Sequence, residues 1–476
     1  MTDQQRWDAL GCADGWVRTP AIDRLADEGV RFPNAYTNSP VCVPARASLA
    51  TGRYPHNTGV WKNEAYTLAR NAPTWMRAVR EAGYTTSLFG KTHLHPHRGD
   101  LRDREHLVRS WGLDHVDEIA GPRAAARCRS NLTDRWEEAG VYDAYRADLR
   151  DRYANKAWVA RPSPLPLELY ADVYVGQKAA AYLGAYAGEQ PWCCWVSFGG
   201  PHEPWDAPEP YASLYDPASM PEPIRAYDDR HDRPRGLLDD KLAHGGITFE
   251  PGDIARLRAN YAGNVTLIDD QISDILRVVE ERGELDRTVV AFVSDHGEMN
   301  GDYNLIYKQN FLNPAARIPF IIRLPPSVGA ATSTVSDAMV ELMDIGPTLV
   351  DLAGGRMVDG SLARSLLPVI EDPSNRHREV ALSELRREAM VATADWKLVV
   401  NGAGEVYMIY DLDADPLETR NVAGLPGYEE VTENLLHCLQ RRMSQGRPAQ
   451  PKRSPWTRVK GGLRGRLGTL RSVVRR

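Results

Sequence analysis

Uninterrupted apolar runs alternate with segments of helical periodicity along most of the chain. Residues 74–82 (TWMRAVREA) read as a helix closed by Gly83, with a strand over 84–89 behind it. Residues 169–185 read as a long helix and 192–198 (WCCWVSF) as a buried strand. Between 254 and 282, Val265, Ile268, Ile272, Ile275, Leu276 and Val279 fall on one helical face. Gly283 ends that pattern, and 288–293 (TVVAFV) is another buried strand. Residues 319–324 form one more strand before Pro325 and Pro326. Strands alternating with helices of this length predict an α/β fold, a large mixed, mostly parallel sheet flanked by helices. After about residue 360 the texture changes. Residues 380–383, 390–392, 397–400 and 406–409 read as short strands of a meander, and 429–443 as a closing helix. The expected organisation is a catalytic domain over 1–360, a small antiparallel-sheet subdomain over 361–445, and a basic, mobile tail over 446–476.

Composition narrows the class. A chain of 476 residues with 42% apolar content has ample material for a core, and no stretch approaches the ~18 apolar residues of a membrane span. The opening MTDQQR has no apolar core of a secretory signal, so the sequence as written reads as cytoplasmic. Cys12, Cys42, Cys128, Cys193, Cys194 and Cys438 show no CxxC spacing, which suits reduced, buried thiols better than disulfides. The formal charge of −6 hides an asymmetry. Residues 451–476 hold nine Lys and Arg and no acid, and removing them leaves −15 on the rest. Leu463, Leu467, Leu470 and Val474 recur there at helical spacing, which suggests weak contact with an anionic surface. No nucleic-acid partner is expected.

The candidate chemistry stands just after the predicted strands, where open α/β sheets bind ligands. Its centre is Cys42-Val43-Pro44-Ala45-Arg46, continuing as ASLATGR. A lone Cys is most often a buried structural thiol, and a bare CxPxR recurs by chance. Here it is accompanied, in order, by TDQQ at 2–5, GKTHL at 90–94, PHEP at 201–204, SDHGE at 294–298, GDYNLIYK at 301–308 and IYDLDADPLETRN at 409–421. With these motifs the chain resembles the type I sulfatases, the formylglycine-dependent branch of the alkaline phosphatase superfamily, from about residue 3 to about residue 423.

The resemblance implies hydrolysis of organic sulfate esters to alcohol and inorganic sulfate. Cys42 would be oxidised by a formylglycine-generating enzyme, and the aldehyde hydrate would attack sulfur with one hydroxyl and expel sulfate with the other. A thiolate would have no such exit. Asp3, Gln4, residue 42, Asp295 and His296 would hold one divalent metal, Ca²⁺ foremost, with Mg²⁺ or Mn²⁺ as alternatives. Gln4 falls where many relatives carry a second Asp. Lys91, Lys308 and Arg46 would neutralise the sulfate oxygens. His93 would act as general base on the hydrate, and His202 would protonate the leaving alcohol. His95 and His97, in the same HLHPH run, have no matched partner in the sequence and read as solvent-exposed loop residues. Trp205, Tyr211 and Tyr215 either stack on a sugar or aryl ring or pack their loop.

One departure stands out. In the family the Asp matching Asp3 ends an apolar strand in the middle of the sheet, whereas here only Met1 and Thr2 precede it. The expectation is an in-frame apolar strand of about six to eight residues upstream, without which Asp3 would sit on a fraying end. Two further functions stay open. One is a phosphonate monoester or phosphodiester hydrolase of the same superfamily, and the other is a catalytically silent binding protein truncated at its first strand.

Overall fold

The structure, a computed structural model, describes residues 1–446 except 14, 156–157, 226–248, 329–331 and 358–359. The basic tail and its leucine pattern therefore lie outside the described residues.

The catalytic layer contains β1 (Val30–Arg31), β2 (Thr85–Gly90), β3 (His115–Glu118), β4 (Trp192–Ser197), β5 (Val290–Val293), β6 (Phe320–Arg323) and β7 (Thr334–Val335). They form two hydrogen-bonded groups. One has the order β3–β2–β4 and is wholly parallel. The other has the order β7–β1–β6–β5, in which β6 runs antiparallel to both neighbours. The helices that position the site are α1 (Cys42–Thr51), α2 (Trp75–Glu81), α3 (Ala171–Ala185) and α4 (Asp253–Glu281). The Thr74 hydroxyl caps α2 by accepting from Arg77 N at 3.3 Å. Gly83, at φ 97°, turns the chain into β2, a conformation that favours glycine. The stripe on α4 buries Val265, Ile268, Ile272, Leu276 and Val279, while Ile275 at its margin is only partly buried.

The meander follows as β8 (Ala381–Leu385), β9 (Glu388–Ala392), β10 (Trp396–Val400) and β11 (Val406–Asp411), each antiparallel to the next. Helix α5 (Glu429–Ser444) covers one face through Leu435, Leu439 and Met443. The opposite face shares a core with Tyr36, Phe311 and Leu312. The small sheet is thus welded to the catalytic layer.

Met1 and Thr2 lie between the carboxyl ends of β4 and β5 and stitch the two groups together. The Met1 amine donates to the Val196 carbonyl and Phe198 N to the Met1 carbonyl, both at 3.0 Å. Thr2 N donates to the Val293 carbonyl at 3.0 Å, and Thr2 pairs with Ser294 in parallel. The expectation of a fraying end behind Asp3 is corrected here, because Met1 is buried and bonded to β4 while Thr2 is bonded to β5. Beyond this two-residue stub, β4 and β5 face each other across a cavity of about 590 Å³ lined by apolar side chains such as Val79, Leu183, Trp195, Val196 and Phe292. Among the described residues, β4 pairs with β2 alone and β5 with β6 alone, so two strand edges border an apolar gap.

The gap yields a stability prediction. Burial, assisted by the charge of Arg46, pushes the Met1 amine from its ordinary 8.0 down to about 5. The folded state therefore holds the amine neutral where the unfolded chain protonates it, and its contribution to stability falls as the pH drops from 8 to 5. Fusing an apolar strand of about six residues ahead of Met1 should raise Tm relative to an equally long Asp- and Pro-containing extension, since each seated Val or Leu contributes about 1.5–3 kcal/mol. It should also flatten the pH dependence over that range, because an amide N–H makes the same bond to Val196 without a charge. Equal melting temperatures for the two extensions would show that the cavity does not seat a strand.

Candidate active site

Cys42 is the first residue of α1 and fully buried. Helix N-termini present unpaired N–H groups and favour anions. Its Sγ lies 3.1 Å from His296 Nε2 and 3.8 Å from Asp3 Oδ1. Burial alone would push this thiol up. Lys91, Lys308 and His296 around it, with a hydrogen bond shared with His202, hold it well below the ordinary range instead. The same pocket would favour any anion.

Arg46, one turn later on α1, is the hub beneath it. Nε meets Asp295 Oδ2 at 2.7 Å, Nη2 meets Asp3 Oδ2 at 3.1 Å, and Nη1 reaches the Lys91 carbonyl at 2.6 Å and Ser197 Oγ at 3.0 Å. Asp3 Oδ2 also accepts from Lys91 Nζ. Burial raises the Asp3 carboxyl and the Cys42 charge adds to this, but Lys91 and Arg46 prevail and hold it below the usual carboxylate range. Each carboxylate thus gives Oδ2 to Arg46 and turns Oδ1 toward His296, at 3.8 Å from Asp3 and 3.7 Å from Asp295. Asp3, Cys42, Asp295 and His296 each offer one ligand atom, all within 4.8 Å of one another. Two carboxylate oxygens, an imidazole and residue 42 fit a hard divalent cation.

A second group faces the same pocket. Lys308 Nζ lies 2.9 Å from His202 Nε2 and 3.5 Å from Glu203 Oε2, and it donates to Gln4 Oε1. The Gln4 amide nitrogen donates to Glu203 Oε2 at 2.9 Å and to Glu298. Gln4 was expected as a metal ligand, but its side chain belongs to this Lys308 group, and only its backbone N reaches the cluster, at Asp295 Oδ1 (3.1 Å). His202 Nδ1 is 2.7 Å from the Glu203 carbonyl. The Lys308 ammonium can only donate, so the imidazole Nε2 stands as its acceptor. His93 is pushed down to about 3 by burial and by Lys91, against a hydrogen bond to Cys42, so it is held neutral.

The family model described as Sulfatase matches residues 1–355. The chain belongs to the sulfatase family. A model described as N-sulphoglucosamine sulphohydrolase, C-terminal, matches 301–445. This sulfatase is 30% identical over 458 residues to an arylsulfatase of Clostridium perfringens, covering 92% of each chain. It is 25% identical over 523 residues to an N-acetylglucosamine-6-O-sulfatase of Bacteroides thetaiotaomicron, covering 98% of this chain and 89% of that one. The phosphonate monoester hydrolase of Silicibacter pomeroyi superposes with a TM-score of 0.73 at 26% identity over 93% of each chain. The sulfatase is therefore a sulfuric ester hydrolase with the alkaline phosphatase-like fold, and its family implies a divalent metal and formylglycine.

Asp3, Cys42, Arg46, Lys91, His93, His202, Asp295, His296 and Lys308 converge here, and the Gln4 side chain lies beside them on Lys308. Glu203 and Ser197 were missed as site residues. Glu203 was visible inside the PHEP motif beside His202, whereas nothing local marks Ser197 as an Arg46 partner. Arg123, half-exposed at the rim, lies 3.2 Å from Glu203 and over the Tyr153 ring at 4.5 Å; its sequence context gave no signal. The aromatic residues after His202 pack the protein. Trp205 is buried against Tyr307, Tyr211 donates to Asp270, and the Tyr215 hydroxyl bonds that of Thr266. His95 and His97 are corrected as well. Both side chains are buried and paired with Glu118 at the end of β3.

Removing Arg46 would strand two buried carboxylates. Arg46→Ala should therefore destabilise the fold by about 3–5 kcal/mol, the cost of breaking a buried pair from one side. Arg46→Lys should fall in between, since one ammonium cannot serve four acceptors. Urea unfolding measures both, and an Ala variant as stable as wild type would contradict the hub role.

Proposed function

We propose that this sulfatase cleaves the sulfate ester of a small alcohol or sugar, using a nucleophile matured from Cys42 and one divalent metal held by Asp3, Asp295, His296 and residue 42. The observation that carries the reading is the buried Cys42 at a helix N-terminus, ringed by Lys91, Lys308 and His296. Formylglycine, made by a maturation enzyme, would supply a geminal diol as nucleophile. The metal, Ca²⁺ by the hardness of its donors, would supply positive charge at the sulfate oxygens.

The chain's own residues do the rest. Lys91, Lys308 and the amino end of α1 bind the sulfate anion and take up the charge that grows on it. Arg46 binds one oxygen of Asp3 and one of Asp295 and leaves the second oxygen of each on the metal side. Neutral His93 accepts the proton released at residue 42. Lys308 donates to His202 Nε2 at 2.9 Å, a path by which a proton reaches the leaving oxygen. The N-acetylglucosamine-6-O-sulfatase relative supports a sugar alcohol as the substrate class.

Cys42→Ala should abolish sulfate-ester hydrolysis and Cys42→Ser should leave at most a trace, because a serine sulfate cannot collapse to release sulfate. Mass analysis of the wild-type Cys42 peptide should find an aldehyde in place of the thiol. Substantial turnover by the Ala variant would sink the mechanism, and an unmodified but fully active thiol would sink the maturation step.

A second reading, phosphonate monoester hydrolysis, is favoured by Gln4 standing where an Asp is usual in sulfatases and by the similarity to the Silicibacter enzyme. Paired kcat/KM values on an aryl sulfate and an aryl phosphonate monoester separate the two. The sulfate should be the better substrate, and a preference for the phosphonate would reverse the order.

A further inference from the structure

The loop that follows β2 carries Lys91 and His93 and then folds its next residues over the end of β3. There His95 Nε2 lies 2.7 Å from Glu118 Oε2 and His97 Nε2 lies 3.3 Å from Glu118 Oε1. The three side chains are at most 4% exposed and offer three ligand atoms within 4.8 Å of one another. Thr92 N and Oγ1 both donate to Glu118 Oε1, which fixes the plane of the carboxylate.

The hydrogen bonds of His95 are the telling feature. Nε2 faces the Glu118 carboxylate, while Nδ1 lies 3.2 Å from the Pro96 carbonyl. Both nitrogens face acceptors, yet a neutral imidazole has one N–H. The pattern is satisfied by a buried imidazolium, or by a cation at Nε2 with Nδ1–H kept on Pro96. The latter is how metal-bound histidines are usually held, with the free nitrogen donating to a carbonyl. His97 is anchored through Nε2 alone, since its Nδ1 has no hydrogen-bond partner among the described residues.

We propose that His95, His97 and Glu118 form a second metal site, for zinc, distinct from the Asp3–Cys42–Asp295–His296 cluster. Two imidazoles and one carboxylate are a zinc donor set. Lys91 and Arg104 face these histidines with positive charge. That disfavours weakly bound Ca²⁺ or Mg²⁺ and selects a metal with strong bonds to nitrogen. The bound ion has a positioning role. The His97 ring stacks on His93 at 4.8 Å, and His93 sits at φ 56°, a conformation that needs surrounding structure to hold it. Zinc on His97 would fix the ring against which His93 rests.

The test uses the full chain, stripped with chelator, reloaded with zinc alone and assayed by elemental analysis and thermal unfolding. Asp295→Asn, which disables the first cluster, should keep one zinc equivalent that His97→Ala loses. Zinc should raise the Tm of wild type and of Asp295→Asn, and adding His97→Ala to Asp295→Asn should abolish the rise. Glu118→Gln, which keeps the shape but weakens the anionic ligand, should bind zinc at least tenfold more weakly. If His97→Ala does not fold, Glu118→Gln decides the matter. Zinc binding that is absent from wild type, lost with Asp295→Asn, or unaffected by both His97→Ala and Glu118→Gln overturns the proposal.

Discussion

Everything at the centre of this molecule depends on one buried guanidinium. Arg46 joins Asp3, Asp295, the Lys91 carbonyl and Ser197, so it ties the ends of β2, β4 and β5 to the helix that presents Cys42. A lone buried charge would be untenable, and two carboxylates alone would repel each other. Together they form a cluster in which each carboxylate has one oxygen bound to Arg46 and one left for chemistry. The planar fork of arginine suits this, because its donors diverge toward several acceptors at once.

That hub sits across a seam. Among the described residues the β3–β2–β4 and β7–β1–β6–β5 groups share no strand ladder, and Met1 and Thr2 bridge them at their carboxyl ends. Behind those two residues the sheet is interrupted by an apolar cavity. Ligand-binding geometry at the carboxyl ends is held by hydrogen bonds and ion pairs.

The loop after β2 joins two chemistries in seven residues. Lys91 and His93 face residue 42, and His95 and His97 turn the other way onto Glu118. Because the rings of His93 and His97 stack, order on one side of the loop is transmitted to the other.

The sequence by itself determined the α/β layer, the meander with its closing helix, and the set of residues around Cys42. Apolar runs and helical stripes are local signals, and the nucleophile motif with its partners is short and linear. The strands over 192–198 and 288–293 and the long helix of 254–282 could be read within a residue or two. What only the tertiary structure decided involves partners far apart in the chain. The oxygen of Gln4 goes to Lys308 because three charged side chains meet there. Glu118 turns an apparently exposed His pair into a buried cluster. Trp205 packs on Tyr307 instead of facing a ligand. The pinning of Met1 and Thr2 needed two strands about a hundred residues apart to deliver Val196 to one and Val293 to the other. Side-chain pairing of this kind depends on which strand ends lie side by side, and no periodicity in the sequence encodes that.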